Sequence, residues 1–177
     1  MPKLTLLPVT TLRGFAVLLL CLGMTRVDAR AETLPQPQGE VLLTVAGQIT
    51  TTNVDGKAVF DRAMLEELGG TVIETSTAWT EGVSRFEGVL LKTLMERVGA
   101  SGDTALTIAI NDYKVEIPVR DFARYSVILA YRMNGEVLKI RDKGPLWVVY
   151  PQDDHPELKT KETQAKWVWQ VKAIQFK

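Results

Sequence analysis

The chain has 177 residues, 46% of them apolar and 24% charged, with 21 basic and 21 acidic residues and a formal net charge of zero. That balance offers no basic excess to suggest a nucleic acid or an anionic membrane as partner. A single cysteine, Cys21, excludes an intramolecular disulfide, so packing alone must hold the fold.

Residues 1–31 read as a secretory signal peptide. Lys3 and Arg13 supply a positive start, Gly14 to Met24 an apolar run, and Ala29-Arg30-Ala31 a small-residue cleavage site before Glu32. The run is shorter than the roughly 20 apolar residues that span a bilayer. Leu20 stands before Cys21 where lipoprotein signals place a small residue, so lipidation is not expected. No Arg-Arg pair precedes the run, so the chain is expected to reach the periplasm unfolded. Setting aside Lys3, Arg13, Arg26, Arg30 and Asp28 leaves 17 basic against 20 acidic residues, a net charge near −3, and no cysteine.

Residues 32–40 form a polar, Pro- and Gly-marked linker, and 41–177 the domain. Val41 to Ile49 predicts a first strand. Asp61 predicts a helix N-cap, with Phe60 placed to staple onto Leu65 and Gly69-Gly70 as the stop. Thr71 to Thr75 is a short β-branched strand entering a loop. Val89 to Val98 carries an apolar helical face (Leu90, Leu91, Leu94, Met95, Val98) and ends at Gly99. Leu106 to Ile110 and Lys114 to Val119 read as strands joined at Asn111-Asp112-Tyr113, and Arg120 to Tyr125 as a helical turn. Val127 to Met133 and Glu136 to Ile140 form a hairpin about Asn134-Gly135, a strong turn signal. Leu146 to Tyr150 is another strand, 151–163 a polar loop, and Lys166 to Phe176 the closing strand. Strands outnumber helices without regular alternation, which predicts an α+β fold with a mixed sheet.

Several segments, in this order, carry a resemblance. They are the loop from Thr71 through Trp79 to Val89, Phe86-Glu-Gly-Val-Leu-Leu91, Asn111-Asp-Tyr113 and Val127-Ile-Leu-Ala130. Gly144-Pro-Leu-Trp-Val-Val-Tyr-Pro151 and Lys166-Trp-Val-Trp-Gln-Val-Lys172 complete the set. Together they resemble the sulfite-oxidase-type molybdopterin-binding domain over essentially the whole of residues 41–177. In that family a cysteine a few residues before the tryptophan gives its thiolate to molybdenum; here the position falls at or next to Thr75. A hydroxyl stays protonated near pH 7, whereas a thiolate is a soft anionic ligand. The chain is most similar to the short, cysteine-less periplasmic branch, the PruR-type pterin-binding regulators. That resemblance implies a protein that binds a reduced pterin, with molybdopterin the less favoured cofactor, and that modulates a membrane-bound cyclic-di-GMP enzyme through its periplasmic domain.

The residues are compatible with a pterin, which offers a flat ring to stack on and an edge that a carboxylate can accept bidentately. Trp79 and Tyr113 are aromatic candidates on loops, and Glu81 and Asp112 the neighbouring carboxylates. The alternatives are an ordinary turn residue at Asp112 and a solvated charge at Glu81. By resemblance, Arg85, Arg141, Lys143 and Lys166 line the other side, with loop solvation the alternative for Arg141 and Lys143. Trp169 is the functional candidate among the later tryptophans, Trp147 and Trp167 reading as core. His155, among Asp153, Asp154 and Glu157, has no metal-ligand spacing. No Gly-x-Ser-x-Gly elbow or glycine-rich phosphate loop is present. The reading is a binding module without catalysis of its own. A periplasmic molybdopterin-dependent oxidoreductase lacking the cysteine ligand is the alternative, and an accessory subunit without a ligand a third class.

Overall fold

The computed structural model describes Met1 and residues 33–177; the signal-peptide expectation lies outside them. Residues 32–177 form one compact unit. The strands are β1 (Leu43–Gly47), β2 (Ala58–Phe60), β3 (Thr71–Ser76), β4 (Val83–Leu90) and β5 (Thr104–Ala109), followed by β6 (Lys114–Pro118), β7 (Ile128–Met133), β8 (Glu136–Val137), β9 (Trp147–Val149) and β10 (Val171–Phe176). The helices are α1 (Arg62–Glu67), α2 (Leu91–Arg97), α3 (Arg120–Tyr125) and α4 (Lys161–Gln164), with 3-10 turns at Ile140–Asp142 and Pro156–Leu158.

Two five-stranded sheets result. Sheet 1 runs β2-β1-β10-β5-β6, with β1 and β10 parallel and the other pairs antiparallel. Sheet 2 runs β3-β4-β7-β8, with β9 also paired to β7, and is wholly antiparallel. The fold is a single α+β domain with a mixed sheet, as the pattern of elements predicts.

Local chemistry sets several elements as expected. The Asp61 side chain accepts the Met64 N–H and so caps α1, and Phe60 and Leu65 are both fully buried. The same carboxylate accepts the N–H groups of Gln38 and Gly39, which ties the 32–40 segment to the domain, and Leu34 is buried as well. Asn134 and Gly135, both with positive φ, make the two-residue turn between β7 and β8.

Other elements differ from expectation. The loop expected over 76–88 contains β4. Its burial alternates with period two, but Ser84 is the inward residue and Val83 is exposed, so the apolar pattern is inverted. The α2 helix therefore begins at Leu91, because Val89 and Leu90 pair with β7. A bulge lies between Glu87 and Gly88, and a Cβ at Gly88 would stand 2.3 Å from the Leu129 carbonyl oxygen. Only glycine permits that approach. The closing strand starts at Val171 and not at Lys166: residues 166–170 cross from sheet 2 to sheet 1. Val148 N–H donates to Val168 O, and Val171 N–H to Leu146 O.

Candidate functional site

The crossing segment builds the site. By leaving sheet 2 beside β9 and joining sheet 1 as β10, it sets Trp167 and Trp169 against Trp147 of β9. The loop after β3 adds Trp79, held by a tight turn in which Trp79 N–H donates to Thr77 Oγ1 and the Thr77 and Thr80 hydroxyls lie 2.8 Å apart. All four tryptophans of the chain thus meet: the Trp79 ring lies 5.3, 5.9 and 6.3 Å from those of Trp169, Trp167 and Trp147. Their edge-on and tilted geometries are those that aromatic quadrupoles favour, each pair adding about 0.5–1.5 kcal/mol beyond burial. The Lys143 ammonium sits 5.6 Å from the Trp147 ring centre and 5.9 Å from that of Trp169.

Against this cluster opens a cavity of about 400 Å³, within the range of small-molecule sites. Trp79, Trp167 and Trp169 form its aromatic wall. Asn111 and Tyr113, from the β5–β6 turn, and Lys161 and Gln164, from α4, supply the polar groups, and no carboxylate lines it. The turn is shaped by Asp112 N–H donating to Ala109 O and by Tyr113 N–H donating to Asn111 Oδ1. The α4 helix exists because Thr160 caps it, accepting the Thr163 N–H. Trp167 Nε1 and Trp147 Nε1 are buried without a hydrogen-bond partner.

Of the residues singled out by sequence, the structure brings Trp79, Tyr113 and Trp169 to the cavity, with Lys143 against the tryptophans. Asp112 points away, in an ion pair with Lys172 at 2.8 Å that holds its carboxyl below the ordinary value. Glu81 is exposed and does not line the cavity. Arg85 pairs with Glu87 at 3.7 Å and Arg141 with its neighbour Asp142 at 3.3 Å. Lys166 donates to Asp121 at 2.7 Å. Sequence reasoning does not single out Asn111, Lys161, Gln164 or Trp167 as site residues; the Thr160-x-x-Thr163 cap is the available signal for the helix that carries Lys161 and Gln164.

Thr75 stands at the end of β3 with no exposed surface. Its hydroxyl donates to Ser76 O and accepts the Asp153 N–H, both at 3.3 Å. Asp153 accepts both the N–H and the hydroxyl of Ser76 and pairs with Lys159 at 2.8 Å, while Gln152 donates to Ser76 O. The 152–159 segment therefore latches over the strand end. Lys159 first, then the Ser76 donors, hold the Asp153 carboxyl at about 2.

Residues 57–176 match the oxidoreductase molybdopterin binding domain family. The chain belongs to that family. Among solved structures it is similar to the sulfane dehydrogenase SoxCD from Paracoccus pantotrophus, with a TM-score of 0.55 at 19% identity. The match covers 75% of this chain and 37% of that one, so this chain spans little more than a third of its length. At that identity the likeness is one of fold. No curated protein matches the chain.

Oxidoreductase molybdopterin binding domains bind a molybdopterin cofactor, and the residues present fit only part of it. The aromatic wall and amide groups suit the heterocycle. The metal half lacks a thiolate donor: residues 33–177 contain no cysteine, and Thr75, at or next to where the resemblance puts the family's cysteine, is buried and hydrogen-bonded. Among the described residues no group of three or more His, Cys, Asp and Glu side chains gathers to hold a metal. His155 packs edge-on against the Tyr125 ring, and Asp153 is committed to Ser76 and Lys159.

Proposed function

We propose that this chain is a periplasmic pterin-binding signalling protein. It takes a reduced, metal-free pterin against the tryptophan wall. According to its occupancy it acts on the periplasmic domain of a membrane-bound cyclic-di-GMP enzyme, without catalysis of its own. The observation that carries the ligand is the cavity walled by Trp79, Trp167 and Trp169 and fringed by the Asn111 and Gln164 amides. Aromatic faces stack a flat ring, and amides offer the paired donor and acceptor that a pterin edge requires. The buried, sulfur-free end of β3 supports a pterin without molybdenum. Export rests on the signal-peptide pattern of residues 1–31, and the signalling partner on the resemblance to the cysteine-less branch.

The test is anaerobic titration of the purified protein with tetrahydrobiopterin, read by tryptophan emission. Because all four tryptophans belong to the cluster, occupancy should quench most of the signal. Absence of saturable quenching, with no pterin extracted from protein purified from the periplasm, would overturn the ligand. For the signalling arm, the partner's periplasmic domain is titrated against empty and pterin-loaded protein. A coupling of about 1–3 kcal/mol, reciprocal in the two ligands, is expected, and equal affinities would remove the pterin as the signal.

A further inference from the structure

The rim of the cavity combines three features. Ile110, Tyr113 and Ile140 are 41%, 51% and 60% exposed, half of the six large apolar side chains that residues 33–177 leave in solvent. They are neighbours: Ile110 N–H donates to Gln170 O, and the Gln170 side chain donates to Ile140 O. Tyr113, three residues from Ile110, closes the same turn on Ala109.

The second feature is charge. Five lysines among the described residues make no ion pair, and four of them, Lys114, Lys139, Lys143 and Lys161, surround this rim. The rim carboxylates Asp112 and Asp142 are already engaged by Lys172 and Arg141. The domain as a whole is acidic, so these four lysines stand against its net charge.

The third feature is backbone shape. Asp112, Lys143 and Gln170 have φ of 64°, 72° and 54°, the left-handed region that side-chain-bearing residues disfavour. Hydrogen bonds from Gln170 N–H to Lys143 O and from Lys172 to Asp112 hold them there. Such costs persist where a surface has to keep one form.

We infer that this rim docks on an anionic lipid bilayer. Ile110, Tyr113 and Ile140 enter the headgroup boundary, and the ammoniums of Lys114, Lys139 and Lys161 meet lipid phosphates, Lys143 being held over the Trp147 and Trp169 rings. A bilayer fits better than an acidic protein because the apolar groups sit on or beside two separate turns, 110–113 and 140–142, not on one flat face. Turns of that kind sink into a soft surface while lysine stems lie along it. Among the described residues no helix is long and apolar enough to cross a membrane. The inference rests on the proposed signalling role, since docking would hold the cavity mouth where a membrane-bound partner resides.

The test uses the chain beginning at Glu32, which comprises the compact unit of residues 32–177. It is floated with vesicles of one part phosphatidylglycerol to two parts phosphatidylcholine, and with phosphatidylcholine alone. Binding at least about tenfold tighter to the anionic vesicles, and weakening with salt, is expected. Lys114→Glu with Lys139→Glu should remove about tenfold or more, and Ile140→Ser several-fold. Lys57→Glu, at the β2 edge of sheet 1 and four strands from β6, should change nothing. No vesicle binding, equal binding to both lipids, or an equal loss in Lys57→Glu would overturn the docking surface. So would binding to an acidic protein domain without vesicle binding. Tetrahydrobiopterin quenching of the same samples separates the two ideas. Intact quenching without vesicle binding overturns docking alone, and vesicle binding without quenching overturns the pterin reading alone.

Discussion

The Lys166 ammonium donates to Oδ2 of Asp121 at 2.7 Å, and the same oxygen accepts the Tyr150 hydroxyl at 3.1 Å. Asp121 is buried on α3, and the lysine that answers its charge stands next to Trp167 of the cavity wall. Burial first, and the Asp121 charge second, push the Tyr150 phenol far above its ordinary value, so it remains a donor. The cavity wall is thus fastened from behind by a charged hydrogen-bonded group.

Lys166→Met should cost roughly 2 kcal/mol, below the 3–5 of a fully buried pair because the lysine retains water contact. Asp121→Asn keeps an acceptor for Tyr150 and should cost less. Urea unfolding of both single variants and the double variant measures the pair. A double variant as destabilised as the sum of the singles would show that the two side chains do not cooperate.

The latch over β3 should be visible in acid. Asp153 titrates at about 2 in the folded protein against an ordinary 3.8. A lowered folded value means the stabilisation is complete above the ordinary value and is lost as pH falls from there towards 2. Asp153→Asn should remove roughly 1–2 kcal/mol at neutral pH and flatten that stretch of the acid-unfolding curve. Asp61, whose carboxyl is lowered by the Met64 and Gly39 N–H groups, acts in the same direction. The difference between wild type and Asp153→Asn isolates the latch.

Trp79→Ala and Trp169→Ala should each weaken tetrahydrobiopterin by about 1–3 kcal/mol, the scale of removing a stacking platform. Asp112→Asn and Glu81→Gln should leave affinity within about twofold, since neither carboxylate lines the cavity. A loss in Asp112→Asn comparable to that in Trp169→Ala would return that carboxylate to the site.

Protein from molybdate-fed cells should carry no stoichiometric molybdenum by elemental analysis. In Thr75→Cys the thiol should resist a disulfide reagent in the folded protein and react on unfolding, because the position has no exposed surface. Rapid labelling of the native variant would show that the strand end opens.

What the sequence made legible was chemistry that acts over a few residues. Asp61 caps a helix, and Asn134-Gly135 turns a hairpin, wherever they occur. The β4 strand was hidden because Ser84 faces inward and Val83 outward, which only its pairing with β3 and β7 decides. The site was half legible for the same reason. Trp79, Tyr113 and Trp169 lie in recognisable segments, whereas Trp167 reads as core, Lys161 falls in the polar loop 151–163, and Gln164 falls between that loop and the expected closing strand. The engagement of Asp112 is not legible, because its partner, Lys172, is sixty residues away in sequence. The basic rim is invisible in a net charge of zero, since its lysines come from three separate segments.

The parallel pairing of β1 with β10 has a consequence for how the chain is made. β10 is the last strand in sequence yet occupies the middle of sheet 1, with β1 on one side and β5 on the other. Until residues 171–176 arrive, sheet 1 exists as two unjoined halves, and the segment that positions Trp167 and Trp169 has no anchor. Assembly is therefore governed by distant contacts that can form only after residues 171–176 have emerged. Such a chain gains the tryptophan wall of its cavity only once residues 171–176 have paired on both sides.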